Sequence, residues 1–422
     1  MADVQTSLAL RALLDEPVDW RYKGFPPSDD VTIGTVGTMG WNLLRGDLPL
    51  PALVLKESAL EHNIALLAQW CAERGILHAP HGKTTMAPQL FSRQLDAGAW
   101  GITAATVSQA RMYRAFGVQR ILLANELVEP ASLRWLAGEL AADPELDFYC
   151  LVDSVPDVET MAEALGGAGR PVNVLLEIGL EGGRTGCRTL AEAADVAAAV
   201  ADRPALDLVG TEGYEGIIAH DRNDASVAAV DAFLRRLREA TVELERTGVF
   251  ADRDRIMVSA GGSAYPDRVA EVLGGDWPFE KPVDLVIRSG GYLTHDVGLY
   301  ERTSPFAREL RPALEAWGAV LSRPEPELAL VGLGKRDVSH DVDLPQPELV
   351  NCRDGLREAT GMAVTELNDQ HAYVRVPAGD PLAVGELVGC GISHPCTSFD
   401  KWRLIPVVDD GYTVVDAVAT FF

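Results

Sequence analysis

The sequence predicts a parallel (β/α)8 barrel of the α/β class followed by a C-terminal β domain, and three observations predict it. Eight short apolar runs recur at intervals of about 20–45 residues between positions 76 and 291. Helical patterns such as TVSQARMYRAFG and VAAVDAFLRRLREATVELERTG fill the gaps. From about residue 300 that rhythm stops, prolines cluster and short alternating strands take over. A sheet buried on both faces needs continuous apolar strands, and strands that alternate with helices pair in parallel. Eight such units close into a barrel. An open doubly wound sheet is the competing arrangement, but no GxGxxG follows the first strand to support it.

In chain order, residues 1–45 form an N-terminal segment expected to pack with the β domain, and the barrel is expected over 46–300. The run ALVLK (52–56) precedes the helix pattern SALEHNIALLAQWCAERG and is expected to lead into the first barrel strand. The barrel strands are then ILHAPHGK (76–83), GITAAT (101–106), RILLAN (120–125), FYCLVD (148–153), NVLLEIG (173–179), DLVGTEGYEG (207–216), IMVSAGG (256–262) and DLVIRSGG (284–291). The β domain, 301–422, ends in a hairpin expected to turn at Asp409, Asp410 and Gly411.

Composition narrows the partners. The 422 residues carry 37 Lys and Arg against 62 Asp and Glu, a net charge of −25. Such a surface repels phosphate backbones and anionic lipid. No apolar run approaches the ~18–20 residues of a membrane span, and the N-terminus lacks the basic-then-apolar order of a signal peptide. Six scattered cysteines without a CxxC pair suit a reduced, cytoplasmic protein. Only six of the basic residues are Lys: 23, 56, 83, 281, 335 and 401. Where arginine is the default cation, a lysine in an unusual context draws attention, because its amine can form a Schiff base.

Active sites of βα barrels lie at the carboxyl ends of the strands. The first strand ends at Lys83, the fifth runs into GLEGGRTGCR with Arg184, and the sixth ends at Tyr214 within EGYEG. The last two end in SAGGSAYP, containing Gly262 and Ser263, and in RSGGYLTHD, containing Gly290, Gly291 and Tyr292. Small-residue loops after the last two strands are the usual phosphate site of this architecture. A phosphate site facing a lone lysine suggests pyridoxal 5′-phosphate, with Lys83 holding the aldehyde. From spacing alone, a surface or ion-paired lysine is an equally good reading. Arg184 as an ordinary loop arginine and Tyr214 as a rim-packing tyrosine stay open in the same way.

In the β domain, GISHPCTSFDKW places His394 and Cys396 two apart. In an extended segment both side chains project to one face. Imidazole and thiolate together suit Zn²⁺, and two ligands leave positions open for water or substrate. Buried cysteine and satisfied histidine are the commoner alternatives.

The strings PHGKTTMAPQLFSRQLDAGAWGITAAT, GRTG, GYEG, SAGGSAYP, RSGGYLTHD and ISHPCTSFDKW together resemble the D-serine dehydratase-like and D-threonine aldolase-like branch of the fold-type III pyridoxal-phosphate enzymes, related to alanine racemase. The resemblance implies Lys83 as the cofactor lysine, Arg184 at the phenolic oxygen, Tyr214 near the pyridine ring, and Ser263, Gly290, Gly291 and Tyr292 around the phosphate. It implies His394 and Cys396 as ligands of a divalent metal, Zn²⁺ first, with Mn²⁺ or Mg²⁺ as alternatives, and a homodimer. A Cys in place of the Asp typical of the aldolases tilts the sequence toward the dehydratases. Ala79, Thr85 and Met86 replace residues common around the family lysine, which is similar to bacterial amino acid deaminases, including enzymes acting on 3-hydroxyaspartate. The implied activity is dehydration of a 3-hydroxy-D-amino acid to a 2-oxo acid and ammonia. Retro-aldol cleavage to glycine and an aldehyde is the alternative, and a racemase or non-catalytic cofactor-binding protein the third.

Overall fold

The structure is a computed structural model and describes residues 8–28 and 30–422. The described residues divide into two compact units, one of residues 68–83 and 94–290, the other of residues 8–28, 30–67, 84–93 and 291–422. Among the described residues no helix is long and apolar enough to cross a membrane.

The first strand, β1, is Ala52–Lys56. The next eight are β2 (Leu77–His78), β3 (Ile102–Ala104), β4 (Arg120–Glu126), β5 (Asp147–Val152), β6 (Val172–Glu177), β7 (Leu206–Glu212), β8 (Ile256–Ser259) and β9 (Val283–Ile287). They form one parallel sheet in the order β2-β9-β8-β7-β6-β5-β4-β3. A parallel bridge between His81 and Thr103 joins its two ends, supported by Thr103 Oγ1 donating to the Ala79 carbonyl at 2.6 Å. This is the (β/α)8 barrel, and each of the eight apolar runs supplies one strand.

The helices between the strands start where polar side chains replace missing backbone partners. Thr189 and Glu192 form a capping box at Leu190–Ala201, and Asn223 caps Asp224–Thr247, which Gly248 ends at φ 84°. Ala79, Leu122, Leu151, Leu175, Val209, Met257 and Val286 fill the core between the strands. Gly210 sits at a register shift between β6 and β7, and a Cβ there would fall on the Met257 carbonyl. The close approach of β7 to β8 therefore admits only glycine.

The second unit holds a ten-stranded sheet. Its strands after β9 are β10 (Leu314–Glu325), β11 (Leu328–Val331), β12 (Gln346–Cys352), β13 (Gly355–Glu358), β14 (Ala363–Leu367), β15 (Ala372–Arg375), β16 (Leu387–Gly391), β17 (Leu404–Val408) and β18 (Val414–Ala419). The main path runs β13-β12-β16-β10-β1-β17-β18, with β11, β15 and β14 branching from β10. The ALVLK run is thus no lead-in to the barrel: β1 lies inside this sheet, antiparallel to β10 and parallel to β17. Its first four residues are 0% exposed, and a fully buried apolar strand carries no mark of which sheet buries it. The β17–β18 turn is held by Asp409, whose Oδ1 accepts from Gly411 and Thr413 N–H at 2.9 and 2.8 Å. Leu43 N–H donates to the Tyr412 carbonyl and Val414 N–H to that of Trp41, which ties the segment before β1 to the same hairpin.

Candidate active site

Lys83 lies in a single helical turn, Gly82–Thr84, just past β2, and its side chain is exposed. Gly82 is obligatory there: a Cβ would come within 2.6 Å of the Tyr113 hydroxyl and 2.9 Å of Ile102. The packed Tyr113 ring therefore sets how the chain reaches Lys83.

His81, two residues earlier, reports the charges around it. Its Nδ1 is enclosed and without a hydrogen bond. Burial holds the ring well below its usual pKa, and the positive charges of Lys83, Arg288 and Arg184 push it lower still. Cations from three different strand ends thus converge on one neutral imidazole. The Arg184 guanidinium also stacks on the Tyr214 ring, 4.6 Å from its centroid.

The seventh-strand loop differs from expectation. The Gly262 N–H, offered by the sequence to a phosphate, donates instead to Glu215 Oε1 at 2.9 Å, and Gly261 N–H to Oε2 at 3.0 Å. Glu215 is 0% exposed, and a buried carboxylate needs donors. Gly262 is therefore a brace for the loop, with its carbonyl accepting from Ser289 Oγ at 2.7 Å. Ser263 is partly exposed beside it and Gly290 is buried at the end of the eighth-strand loop. Gly291 and Tyr292 begin the other unit, in the buried turn Gly291–Leu293.

Three groups that the motifs did not single out complete the barrel mouth. Arg288, 5% exposed, pairs with Glu212 and donates to Ser259 Oγ at 2.6 Å. Burial pushes Glu212 up to about 8, against the pull of Arg288. Glu126, at the end of β4, is pushed up to about 9 by burial and then by its hydrogen bond to Glu177 and the charge of that group. Glu126 and Glu177 come from strands separated by β5, so no spacing in the sequence signals the pairing.

The raised pKa of Glu126 has a measurable consequence. Glu126 ordinarily ionises near 4.5, and in the fold near 9. Between those values the native state keeps a proton the unfolded chain has released, so its contribution is full below pH 4.5 and is lost as pH rises through the window. Glu126→Gln, a neutral isostere of the protonated acid, is expected to flatten the fall in urea midpoint between about pH 5 and 9. An unchanged slope in the variant would contradict a proton held on Glu126 in the native state.

In the second unit His394 and Cys396 do converge, though not by strand alternation. His394 adopts φ 53°, Pro395 is helical, and Cys396 opens the short helix Cys396–Phe399. A tight turn, not an extended segment, points both side chains to one place, and the left-handed histidine is what allows the reversal. A hydrogen bond to the Cys396 thiol and then the Asp341 carboxylate raise His394 to about 9. His394 Nδ1 lies 2.6 Å from Asp341 Oδ2, and Cys396 Sγ lies 3.7 Å from Thr84 Oγ1. Among the described residues no three His, Cys, Asp or Glu side chains gather as a metal-binding group. The pair is a two-donor set.

Both arrangements fit the groups they were expected to hold. Converging cations around an orphaned imidazole nitrogen, beside a lysine at a strand end, suit an anionic aromatic aldehyde. An imidazole with Nδ1 on a carboxylate and a thiol alongside suits a divalent cation with open positions.

A helix-covered parallel barrel with a lysine closing its first strand, joined to a β domain with a His-x-Cys turn, defines a cofactor-dependent enzyme of the alanine racemase type. The alanine racemase N-terminal domain model matches residues 55–268, and a serine dehydratase domain model matches 313–408. The chain belongs to the fold-type III pyridoxal-phosphate enzymes, in their D-serine dehydratase-like and D-threonine aldolase-like branch. It is similar to D-threonine aldolase of Arthrobacter sp, 28% identical over 362 residues, 86% of this chain and 89% of that protein. It is also similar to D-threo-3-hydroxyaspartate dehydratase of Delftia sp. (strain HT23), 27% identical over 264 residues, 58% of this chain and 64% of that one. Among solved structures, D-threonine aldolase from Filomicrobium marinum superposes with a TM-score of 0.77 at 25% identity, covering 90% of this chain and 97% of that chain.

Proposed function

We propose that this protein is a pyridoxal-phosphate- and metal-dependent dehydratase of a 3-hydroxy-D-amino acid such as D-serine, D-threonine or D-threo-3-hydroxyaspartate, releasing a 2-oxo acid and ammonia. The observation that carries this reading is the convergence of the His394 imidazole and the Cys396 thiol on one side of a tight turn. Thr84, beside Cys396 Sγ, is the next residue after Lys83 in sequence.

In this reading Lys83 anchors the cofactor and its amine removes the proton from Cα. Pyridoxal phosphate, when bound, supplies an electron sink for the charge left at Cα. Ser263, Gly290, Gly291 and Tyr292 serve the phosphate, with Gly262 holding the loop through Glu215. Arg184, stacked on Tyr214, would bind the phenolic oxygen, and Tyr214 would lie near the pyridine ring. His394 and Cys396 would hold a divalent cation, Zn²⁺ or else Mn²⁺ or Mg²⁺, which would supply Lewis acidity toward a substrate hydroxyl at Cβ. The active species in this proposal is a homodimer.

The similarity to D-threonine aldolase, which spans 86% of this chain, favours a second reading, cleavage of the Cα–Cβ bond to glycine and an aldehyde. Products decide between them. Incubation with D-serine, D-threonine and D-threo-3-hydroxyaspartate, with and without chelator, is expected to give 2-oxo acid and ammonia only in the chelator-free arm. Glycine plus aldehyde would assign the aldolase. Chelator-insensitive inversion at Cα without either set of products would assign a racemase.

A further inference from the structure

We propose that Asp341 is a positioning residue for the cation site: it holds His394 with Nδ1 protonated and so presents Nε2 beside Cys396 Sγ. This rests on the reading of His394 and Cys396 as cation ligands. Three features argue for it. The Asp341 carboxylate is itself fixed at both oxygens, Oδ2 accepting from His394 Nδ1 at 2.6 Å and Oδ1 from Thr397 Oγ1 at 3.0 Å. Thr397 follows Cys396, so one carboxylate ties down the residues on both sides of the two-donor turn. The backbone of His394 is fixed from a different direction. Its N–H donates at 2.9 Å to Oδ2 of Asp296, which is 2% exposed. Asp296 Oδ1 in turn accepts from the N–H groups of Gly298, Tyr300 and Glu301 at 3.0, 2.8 and 3.2 Å.

The division of labour follows from burial. Asp296 is interior and holds the left-handed backbone at His394, so it belongs to the fold. The Asp341 side chain is 42% exposed, and an ion pair so open to solvent contributes little to folding. A carboxylate that grips an imidazole at 2.6 Å yet matters little to stability acts on the orientation and tautomer of that ring. A histidine donating Nδ1–H to a carboxylate is a better and better-aimed donor at Nε2.

The test uses the full chain with its cofactor, freed of cations by chelator and titrated with Co²⁺ by absorbance and with Zn²⁺ by calorimetry. The native protein is expected to bind one cation per chain and to develop a thiolate-to-cobalt charge-transfer band. Asp341→Ala is expected to weaken binding about 10–100-fold, while the charge-transfer band at saturation, the visible cofactor absorbance and the melting temperature stay native. Asp341→Asn, whose amide oxygen can still accept from Nδ1–H, is expected to recover most of the affinity. Native affinity in Asp341→Ala overturns the proposal. So does a changed ligand-field spectrum at saturation shared by Asp341→Ala and Asp341→Asn, which would make Asp341 a ligand. A native protein that binds no cation, or whose binding survives Cys396→Ala unchanged, instead overturns the reading beneath it.

Discussion

Lys83→Ala is expected to lower turnover by about 10⁴-fold, the upper range for losing a positioned general base, and to strip the purified protein of visible cofactor absorbance. In the proposed reading one amine serves as covalent anchor and base, and both losses follow from it. Folding should be spared. The side chain is exposed, and the turn that carries it is shaped by Gly82 against Tyr113, not by Lys83. Substitutions of exposed side chains usually move stability by only about 0.5 kcal/mol. Thermal unfolding of the cofactor-free variant and of cofactor-free native protein should therefore coincide. Retained absorbance with retained turnover would place the cofactor on another of the six lysines.

Cys396→Ala is expected to produce the opposite separation. The cofactor absorbance stays, while cation affinity collapses and turnover falls about 10²–10³-fold, the rate equivalent of a Lewis acid worth several kcal/mol. Removing the thiol leaves His394 its Nδ1 partner Asp341 and its backbone partner Asp296, so the turn survives with one donor missing. Adding cation in excess should restore part of the activity. Turnover equal to that of the native protein, insensitive to chelator, would remove the metal from the reaction and leave a racemase-type activity as the better account.

Much of this was legible in the sequence. The barrel strands are buried on both faces and so are written as continuous apolar runs, which is why all eight were found. The same continuity hid the place of Ala52–Lys56. Its buried residues would suit either sheet, and only hydrogen bonding to Leu314–Glu325 and Leu404–Val408 decides. His394 and Cys396 come together by a geometry other than the alternation their spacing suggests: a left-handed histidine and a helical proline form the turn. Glu215 stood inside a motif, GYEG, yet a carboxylate between glycines reads as a surface turn until the fold shows two amides aimed at it. Glu126, Glu177, Glu212 and Arg288 were out of reach for a related reason. What a buried acid does depends on which charged neighbour it meets, and those neighbours lie 51 residues away for Glu126–Glu177 and 76 for Glu212–Arg288.

Borohydride reduction followed by peptide mapping tests the central assignment most directly, since reduction fixes the pyridoxyl group to whichever amine carries it. Purified native protein is expected to yield a single phosphopyridoxyl peptide containing HGKTTM, modified at Lys83. A label on any other lysine, or no label in protein that turns over a D-hydroxy amino acid, would contradict it.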